Sequence, residues 1–171
     1  RNIGVKDLLY EGDLVPIQAN VSRNIPNDVT GTPFAASFAE VEVDTETGQT
    51  KVLRMVQCCD LGVVMYGSGA EGQEIGGQVI AVGESLTEEV IHDRATGAPL
   101  NFNWIDYTFP TILDFPDVEP VSLEAWQGAG DYGACGIGEV VLTCSPRAIL
   151  NAIYNAVGVR INDIPVKPEK M

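Results

Sequence analysis

The sequence has few of the residues from which metal centres and nucleic-acid surfaces are built. Its 171 residues include one histidine, His92. That excludes a multi-histidine metal site within the chain and argues against a serine–histidine triad. Ten lysines and arginines stand against 24 aspartates and glutamates, which gives a formal net charge of -14. Such a surface repels phosphate backbones and anionic lipids, so we expect neither nucleic acid nor a membrane as a partner.

Long apolar runs are also missing. No stretch approaches the roughly 20 residues that span a bilayer, and residues 1–10 lack the apolar segment of a signal peptide. Four cysteines without C-x-x-C spacing do not make a disulfide scaffold, so we expect reduced thiols and a cytoplasmic location. Because the sequence begins at Arg1, we expect a processed chain or a piece of a longer subunit.

What is present is enough apolar sequence for one core, since 45% of the residues are hydrophobic. We interpret residues 1–31 as an extended N-terminal connector and residues 32–171 as the domain. Partial alternation over Phe34–Asp44, a polar turn to Gln49 and a β-rich run over Lys51–Cys58 predict a β-hairpin. The class predicted is α+β, with a mixed sheet that includes the hairpin and with helices packed on it.

Helical spacing of apolar residues predicts two helices. The first runs from about Glu74 to Val90, and the second starts at Ser145, as N-cap, and ends at Gly158. Further expectations are strands over Phe102–Tyr107 and Val121–Ala125, an irregular Phe109–Glu119, and a C-terminal tail extended over the surface. Trp104 and Trp126 are predicted to be packing residues, with a place in the lining of the site left open for Trp126. His92 is predicted to be an exposed polar residue. Glu84, Glu88 and Glu89 are predicted to form a solvated helix face, with contact to a basic partner surface left open for some of them.

Two glycine-rich segments each place a polar side chain shortly before a helix. One is Gly72-Gln73 followed by Gly76-Gly77, where the glycines suggest close approach of a backbone or ligand. The other runs from Gly133 to Glu139. Loops of this kind present backbone N–H groups to anions. Apolar neighbours would desolvate Glu139 and raise its pKa toward the range of a general base. On spacing alone, a solvated surface glutamate and a polar helix-start glutamine remain open as alternatives.

Short motifs follow one another along nearly the whole chain, from about Phe34 to Pro168. They are Ala39-Glu40-Val41-Glu42-Val43-Asp44 with Thr47-Gly48, Asp60-Leu61-Gly62, Glu71-Gly72-Gln73, Gly76-Gly77, Val82-Gly83-Glu84-Ser85-Leu86-Thr87-Glu88-Glu89, Leu100-Asn101, Asp106-Tyr107, Pro110-Thr111, Asp114, Pro116, Gly136-Ile137-Gly138-Glu139 and Asn151-Ala152-Ile153-Tyr154-Asn155-Ala156-Val157-Gly158-Val159-Arg160. In this order they resemble the C-terminal quarter of the molybdenum-binding subunits of the xanthine dehydrogenase and aldehyde oxidoreductase family.

The resemblance implies a fold, a cofactor and roles for particular residues. The fold is the C-terminal part of a molybdopterin-binding subunit, and the cofactor is molybdopterin with molybdenum, in the cytosine dinucleotide form usual in bacteria. Glu139 would be the general base, and Gly72, Gln73, Cys135, Gly136 and Gly138 would lie against the cofactor. No side chain would ligate the metal, because the pterin supplies the sulfur ligands. Cys135 is therefore expected to be a small buried packing residue.

The resemblance also implies a reaction and partners. Water-derived oxygen would enter an electron-poor carbon of an N-heterocycle, of purine or nicotinate type, or of an aldehyde. The chain would act with a companion molybdenum-subunit chain and with partners carrying 2Fe-2S and FAD. It departs from the family pattern at Met65-Tyr66-Gly67-Ser68, at Cys135, where lysine is common, and at Val140, where proline often stands. A non-catalytic assembly subunit and an enzyme that reduces an aromatic substrate remain open as alternatives.

Overall fold

The computed structural model describes residues 20, 22, 33–125 and 128–171, and the structural statements below concern these residues. The connector predicted over residues 1–31 lies outside them except for Asn20 and Ser22, so its boundary stays a prediction. Trp126, predicted to be a packing residue, also lies outside them.

A three-stranded sheet forms one layer of the domain. Strands β1 (Phe34–Val43), β2 (Thr50–Asp60) and β3 (Asp117–Leu123) lie in the order β1-β2-β3. β1 and β2 are antiparallel and form the predicted hairpin, whereas β2 and β3 are parallel, so the sheet is mixed as predicted. The hairpin turn is closed by the Asp44 carboxylate, which accepts hydrogen bonds from the N–H groups of Glu46 and Thr47 at 2.8 and 3.2 Å.

Over residues 33–125 and 128–171 the structure has three helices and two short 3₁₀ turns besides the sheet. Helix α1 is Gly67–Leu86, α2 is Val140–Thr143 and α3 is Ser145–Val157; the 3₁₀ turns are Asp131–Gly133 and Pro168–Lys170. α1 therefore begins about two turns before Glu74 and ends before Val90, which corrects the predicted bounds. The early glycines did not prevent the helix, because its first turns pack through Ala70 into a cluster with Leu61, Cys59 and Val141.

Ser145 is the first residue of α3 rather than its N-cap, a position that Cys144 occupies, and the Ser145 hydroxyl is used in buried hydrogen bonds. The helix ends as predicted at Gly158, which has a φ of 76°.

Two predicted strands were wrong in type or position. Residues 102–107 form a turn, in which the Asn103 side-chain oxygen accepts hydrogen bonds from the N–H groups of Ile105 and Asp106. The third strand begins at Asp117, earlier than expected, because it pairs in parallel with β2 from Arg54 onward. The irregular segment expected over Phe109–Glu119 therefore ends before Asp117.

The main core lies between the sheet and the helices. It is formed by Val52, Met55, Val82, Ile149, Leu150, Ile153, Ile161 and Val166. The tail is thus not only a surface extension, because Ile161 and Val166 are buried and Val166 N–H donates to Ser85 O at 2.7 Å. Trp104 was wrongly predicted to pack, since it is 86% exposed, with an edge-to-face contact to Phe109.

In the part of the chain that the structure describes, no helix combines the length and the apolar character needed to cross a bilayer.

Candidate functional site

The end of β2 holds the second glycine-rich loop in place. Cys135 N–H donates to Leu61 O at 2.9 Å, and Val63 N–H donates to Gly133 O at 2.9 Å. Gly62 lies between them with a φ of 62°, and a Cβ added there would lie 2.7 Å from Gly128 N. Only glycine allows both that conformation and that approach. The Asp60-Leu61-Gly62 motif therefore anchors the loop that leads to Glu139.

Helix α1 brings Gln73 to the same loop. The Gln73 side-chain amide donates to the backbone carbonyl of Gly138 at 3.5 Å, a long hydrogen bond. Four residues further on, Gly77 packs against Val141, and a Cβ added to Gly77 would lie 3.1 Å from Val141 Cβ. The close backbone approach expected from the α1 glycines is confirmed at Gly77. The fold thus brings together the two motifs that the sequence singled out.

The surface around these motifs is open and rich in glycine. Gly72, Gly76, Gly136 and Gly138 each have free space where a Cβ would stand. Within the described residues, no acceptor is found for the backbone N–H groups of Gly136, Ile137 and Gly138. Consecutive free N–H donors on a loop without side-chain obstruction suit an oxygen-rich, anionic group. The donor set therefore fits a molybdopterin-type cofactor.

Glu139 stands at the end of this loop, directly before α2, with φ −84° and ψ 0°. Its side chain is exposed, so the described part of this chain does not supply the desolvation that its apolar sequence neighbours predicted. Its carboxylate makes no hydrogen bond or ion pair with the described residues. The carboxylate is therefore available to accept a proton from a group that lies against this surface.

Cys135 is half-buried rather than buried as predicted, and it lines an apolar cavity of about 310 Å³. Met65 and Tyr66 line the same cavity, together with Leu61, Ala70 and Ile137. Two of the three departures from the family pattern therefore meet at one place beside the glycine loop. None of the described residues that line this cavity carries a charge.

A buried polar cluster behind the loop was not predicted. Gln57, Glu74 and Gln78 are each 0% exposed. The Gln78 amide donates to Gln57 Oε1 at 2.9 Å and to Val141 O at 2.8 Å. Ser122 donates to Glu74 Oε1 at 2.9 Å, while Glu74 Oε2 has no partner among the described residues. Burial raises the pKa of the Glu74 carboxyl, and the nearby charge of Glu71 raises it further.

The same environment affects Cys59, where burial raises the pKa of the thiol to about 11. The i, i+4 spacing of Ala70, Glu74 and Gln78, followed by Ala81 at i+3, was the available signal for the buried face of α1. Because Glu74 and Gln78 are polar, hydrophobicity alone would place them on the exposed face of the helix.

The remaining polar candidates lie away from this site. His92 is exposed, as predicted. The three glutamates predicted as one solvated face behave differently. Glu84 is exposed, Glu88 accepts a hydrogen bond from the Tyr107 hydroxyl at 2.7 Å, and Glu89 forms an ion pair with Lys167. The prediction is wrong for the last two, because α1 ends at Leu86 and leaves them in the following turn.

Comparison with known proteins shows the family to which this chain belongs. The molybdopterin cofactor-binding domain matches residues 9–116, more than half of the chain. The chain belongs to this family. It is 33% identical over 148 residues to the aldehyde oxidoreductase molybdenum-binding subunit PaoC of Escherichia coli K12, which covers 81% of this chain and 19% of that protein.

The similarity continues beyond residue 116. The xanthine dehydrogenase molybdenum-binding subunit of Escherichia coli O157:H7 is 30% identical over 172 residues, 99% of this chain and 23% of that subunit. The structure is similar to aldehyde oxidoreductase from Desulfovibrio gigas, with a TM-score of 0.71 and 37% identity over 81% of this chain and 15% of that one. For quinoline 2-oxidoreductase from Pseudomonas putida 86 the TM-score is 0.69 and the sequence identity 33%, over 76% of this chain and 17% of that one. This chain spans about a fifth of the length of these relatives.

Proposed function

We propose that the chain is part of a molybdenum hydroxylase that inserts water-derived oxygen into an electron-poor carbon, with Glu139 as the general base. The substrate class is an N-heterocycle, of purine or nicotinate type, or an aldehyde. The observation that carries the proposal is that α1 and the end of β2 place Gln73 and the Glu139 loop side by side on an open glycine surface.

Each predicted residue has a role that its position supports. The N–H groups of Gly136 and Gly138 and the Gln73 amide would donate to the cofactor, and the open space at Gly72, Gly136 and Gly138 would let it approach. Cys135 directly precedes Gly136 and would lie against the cofactor beside these groups. Molybdopterin, in the cytosine dinucleotide form, supplies the redox chemistry when bound. Glu139 removes the proton from the oxygen that attacks the substrate carbon, and its carboxylate, which has no partner among the described residues, is suited to this.

The exposure of Glu139 implies a role for the rest of the protein. A base works best where water is excluded, and the described part of this chain leaves the carboxylate open. We infer that a companion portion of the molybdenum subunit covers this surface and completes the site. Partners with 2Fe-2S and FAD would carry the electrons away, and the complex would be cytoplasmic. Residues 32–171 would be the C-terminal cofactor-binding domain.

Replacing Glu139 with Gln in the assembled complex tests the proposal. Turnover of purines, nicotinate and aldehydes should fall by about 100- to 10,000-fold, the range for losing a general base, while molybdenum and pterin contents stay unchanged. Glu84→Gln is the matched control, because Glu84 is an exposed glutamate in α1 and outside the site. It should leave turnover as it was.

Two outcomes would reject the proposal. Unchanged turnover in Glu139→Gln would favour a non-catalytic assembly role. If the product formed in labelled water contained no solvent oxygen, the reaction would not be a hydroxylation, and reduction of an aromatic substrate would take its place.

A further inference from the structure

We propose that Gln78 is a positioning residue that holds Glu139 in its working orientation; this rests on the function proposed above. Gln78 lies on the buried face of α1 and is 0% exposed. Its side-chain amide donates to the backbone carbonyl of Val141 at 2.8 Å. Val141 is two residues beyond Glu139, so this hydrogen bond connects the core of the domain with the backbone that carries the base.

The Gln78 amide is itself fixed by its neighbours. Besides Val141 O, its nitrogen donates to Gln57 Oε1 at 2.9 Å, with a longer contact of 3.4 Å to the backbone oxygen of Glu74. Gln57 Oε1 also accepts from Ser145 at 3.2 Å. The amide oxygen, Gln78 Oε1, is buried without a partner among the described residues. Both N–H groups have buried acceptors, so rotating the amide would break these hydrogen bonds, which costs about 1–3 kcal/mol for each unsatisfied group, and would turn this oxygen toward two acceptor oxygens. The amide therefore holds one orientation.

The backbone at Glu139 needs such support. α2 contains only four residues, Val140–Thr143, too few to form a stable helix without tertiary contacts. The Glu139 carboxylate has no partner within the described residues to orient it. The direction in which this side chain leaves the loop is therefore set by the backbone on either side of it.

Helix α1 contacts that backbone on both sides of Glu139. Gln73 reaches Gly138, directly before it, through a long hydrogen bond of 3.5 Å. Gln78 reaches Val141 through a shorter, fully buried one. Gln73 is exposed and is assigned to the cofactor, whereas Gln78 is fully buried. Of the two glutamines, Gln78 therefore makes the shorter and better protected hydrogen bond to this backbone. It acts by positioning Glu139 and does not contact the substrate.

Replacing Gln78 with Met in the assembled complex provides the test, since Met has similar length and no amide. A misplacement of about 1 Å in an active site can lower the rate on the order of 100-fold. We expect kcat to fall by about 10- to 100-fold with KM and molybdenum content unchanged. Hydrogen exchange of the Leu142 amide, which donates to Glu139 O at 3.1 Å, should become faster. Ser85→Ala is the control, because Ser85 is another fully buried polar residue of α1, about 10 Å along the helix from Gln78.

The double variant Gln78→Met with Glu139→Gln separates positioning from general destabilisation. If Gln78 acts through Glu139, its replacement should cause no further loss once the carboxylate is gone. Should Gln78→Met not assemble, Gln78→Leu carries the same test, because it also removes the amide that donates to Val141 O.

Each contrary result has a distinct meaning. An equal loss of kcat with and without the Glu139 carboxylate, or an unchanged kcat in the single variant, would overturn the role of Gln78. Full activity in Glu139→Gln alone would instead reject the proposed function.

Discussion

Replacing Gly77 with Ala should test how closely α1 packs against the segment that follows Glu139. A Cβ at Gly77 would overlap Val141 Cγ2 and lie 3.1 Å from Val141 Cβ and 3.3 Å from its carbonyl carbon. Val141 is 0% exposed, so it has no free space into which to move. Overpacking of this kind costs about 1–3 kcal/mol. Ala in a helix gains up to about 1 kcal/mol over Gly, so the net effect is a loss of up to about 2 kcal/mol.

Gly76→Ala is the matched control, because it lies on the same helix and has nothing within 4 Å of an added Cβ. It should gain the helix propensity without the overlap, so it should be up to about 1 kcal/mol more stable than the parent. The two variants should therefore differ by the overpacking cost, about 1–3 kcal/mol. The assay is urea unfolding of the complete molybdenum subunit without cofactor, followed by circular dichroism.

A second comparison assigns the effect to Val141. In a Val141→Ala background the overlapping methyl groups are absent, so Gly77→Ala should lose most of its penalty. If Gly77→Ala and Gly76→Ala unfold at the same urea concentration, the packing argument is refuted.

Two further predictions concern stability. Burial raises the pKa of Glu74 above its ordinary value of 4.5, so the unfolded chain loses this proton at lower pH than the folded one. The free energy of unfolding should fall as pH rises from 4.5 through the folded-state pKa, by at most about 1.4 kcal/mol per pH unit. Glu74→Gln should flatten that part of the stability curve, and an unchanged slope would count against it. Gly158→Ala should cost about 1–2 kcal/mol, because Gly158 ends α3 at a φ of 76° while donating to Tyr154 O at 2.8 Å. A thermal midpoint equal to the parent's would contradict this.

Local sequence was sufficient where one local signal decided the structure. The hairpin was predictable because alternation flanks a turn whose Asp44 side chain binds its own backbone. Helix α3 was predictable because its apolar stripe faces the core and Gly158 can adopt a positive φ. The two glycine-rich motifs were recognisable by resemblance, and the fold places Gln73 beside Gly138. That Gln73 and Glu139 act on a cofactor stays a prediction.

Tertiary structure decided which face of α1 lies inside. Ile75 and Ile80 are exposed, while Glu74 and Gln78 are buried, the reverse of what hydrophobicity predicts. Hydrophobic periodicity identifies the inner face only when apolar burial drives the packing. Here the inner face is held partly by hydrogen bonds to Gln57, Ser122 and Val141, partners far away in sequence.

Contacts between residues distant in sequence also decided where some elements begin and how exposed the candidate site is. The start of β3 at Asp117 and the burial of Val166 each depend on contacts formed only after the sheet and helices assemble. The sequence by itself determined that a carboxylate, Glu139, follows a loop whose glycines leave backbone N–H groups accessible. Only the fold decided that the Glu139 side chain is exposed and that Gln78 binds the backbone two residues after it. Burial depends on residues that are distant in sequence, so the adjacent residues did not reveal it.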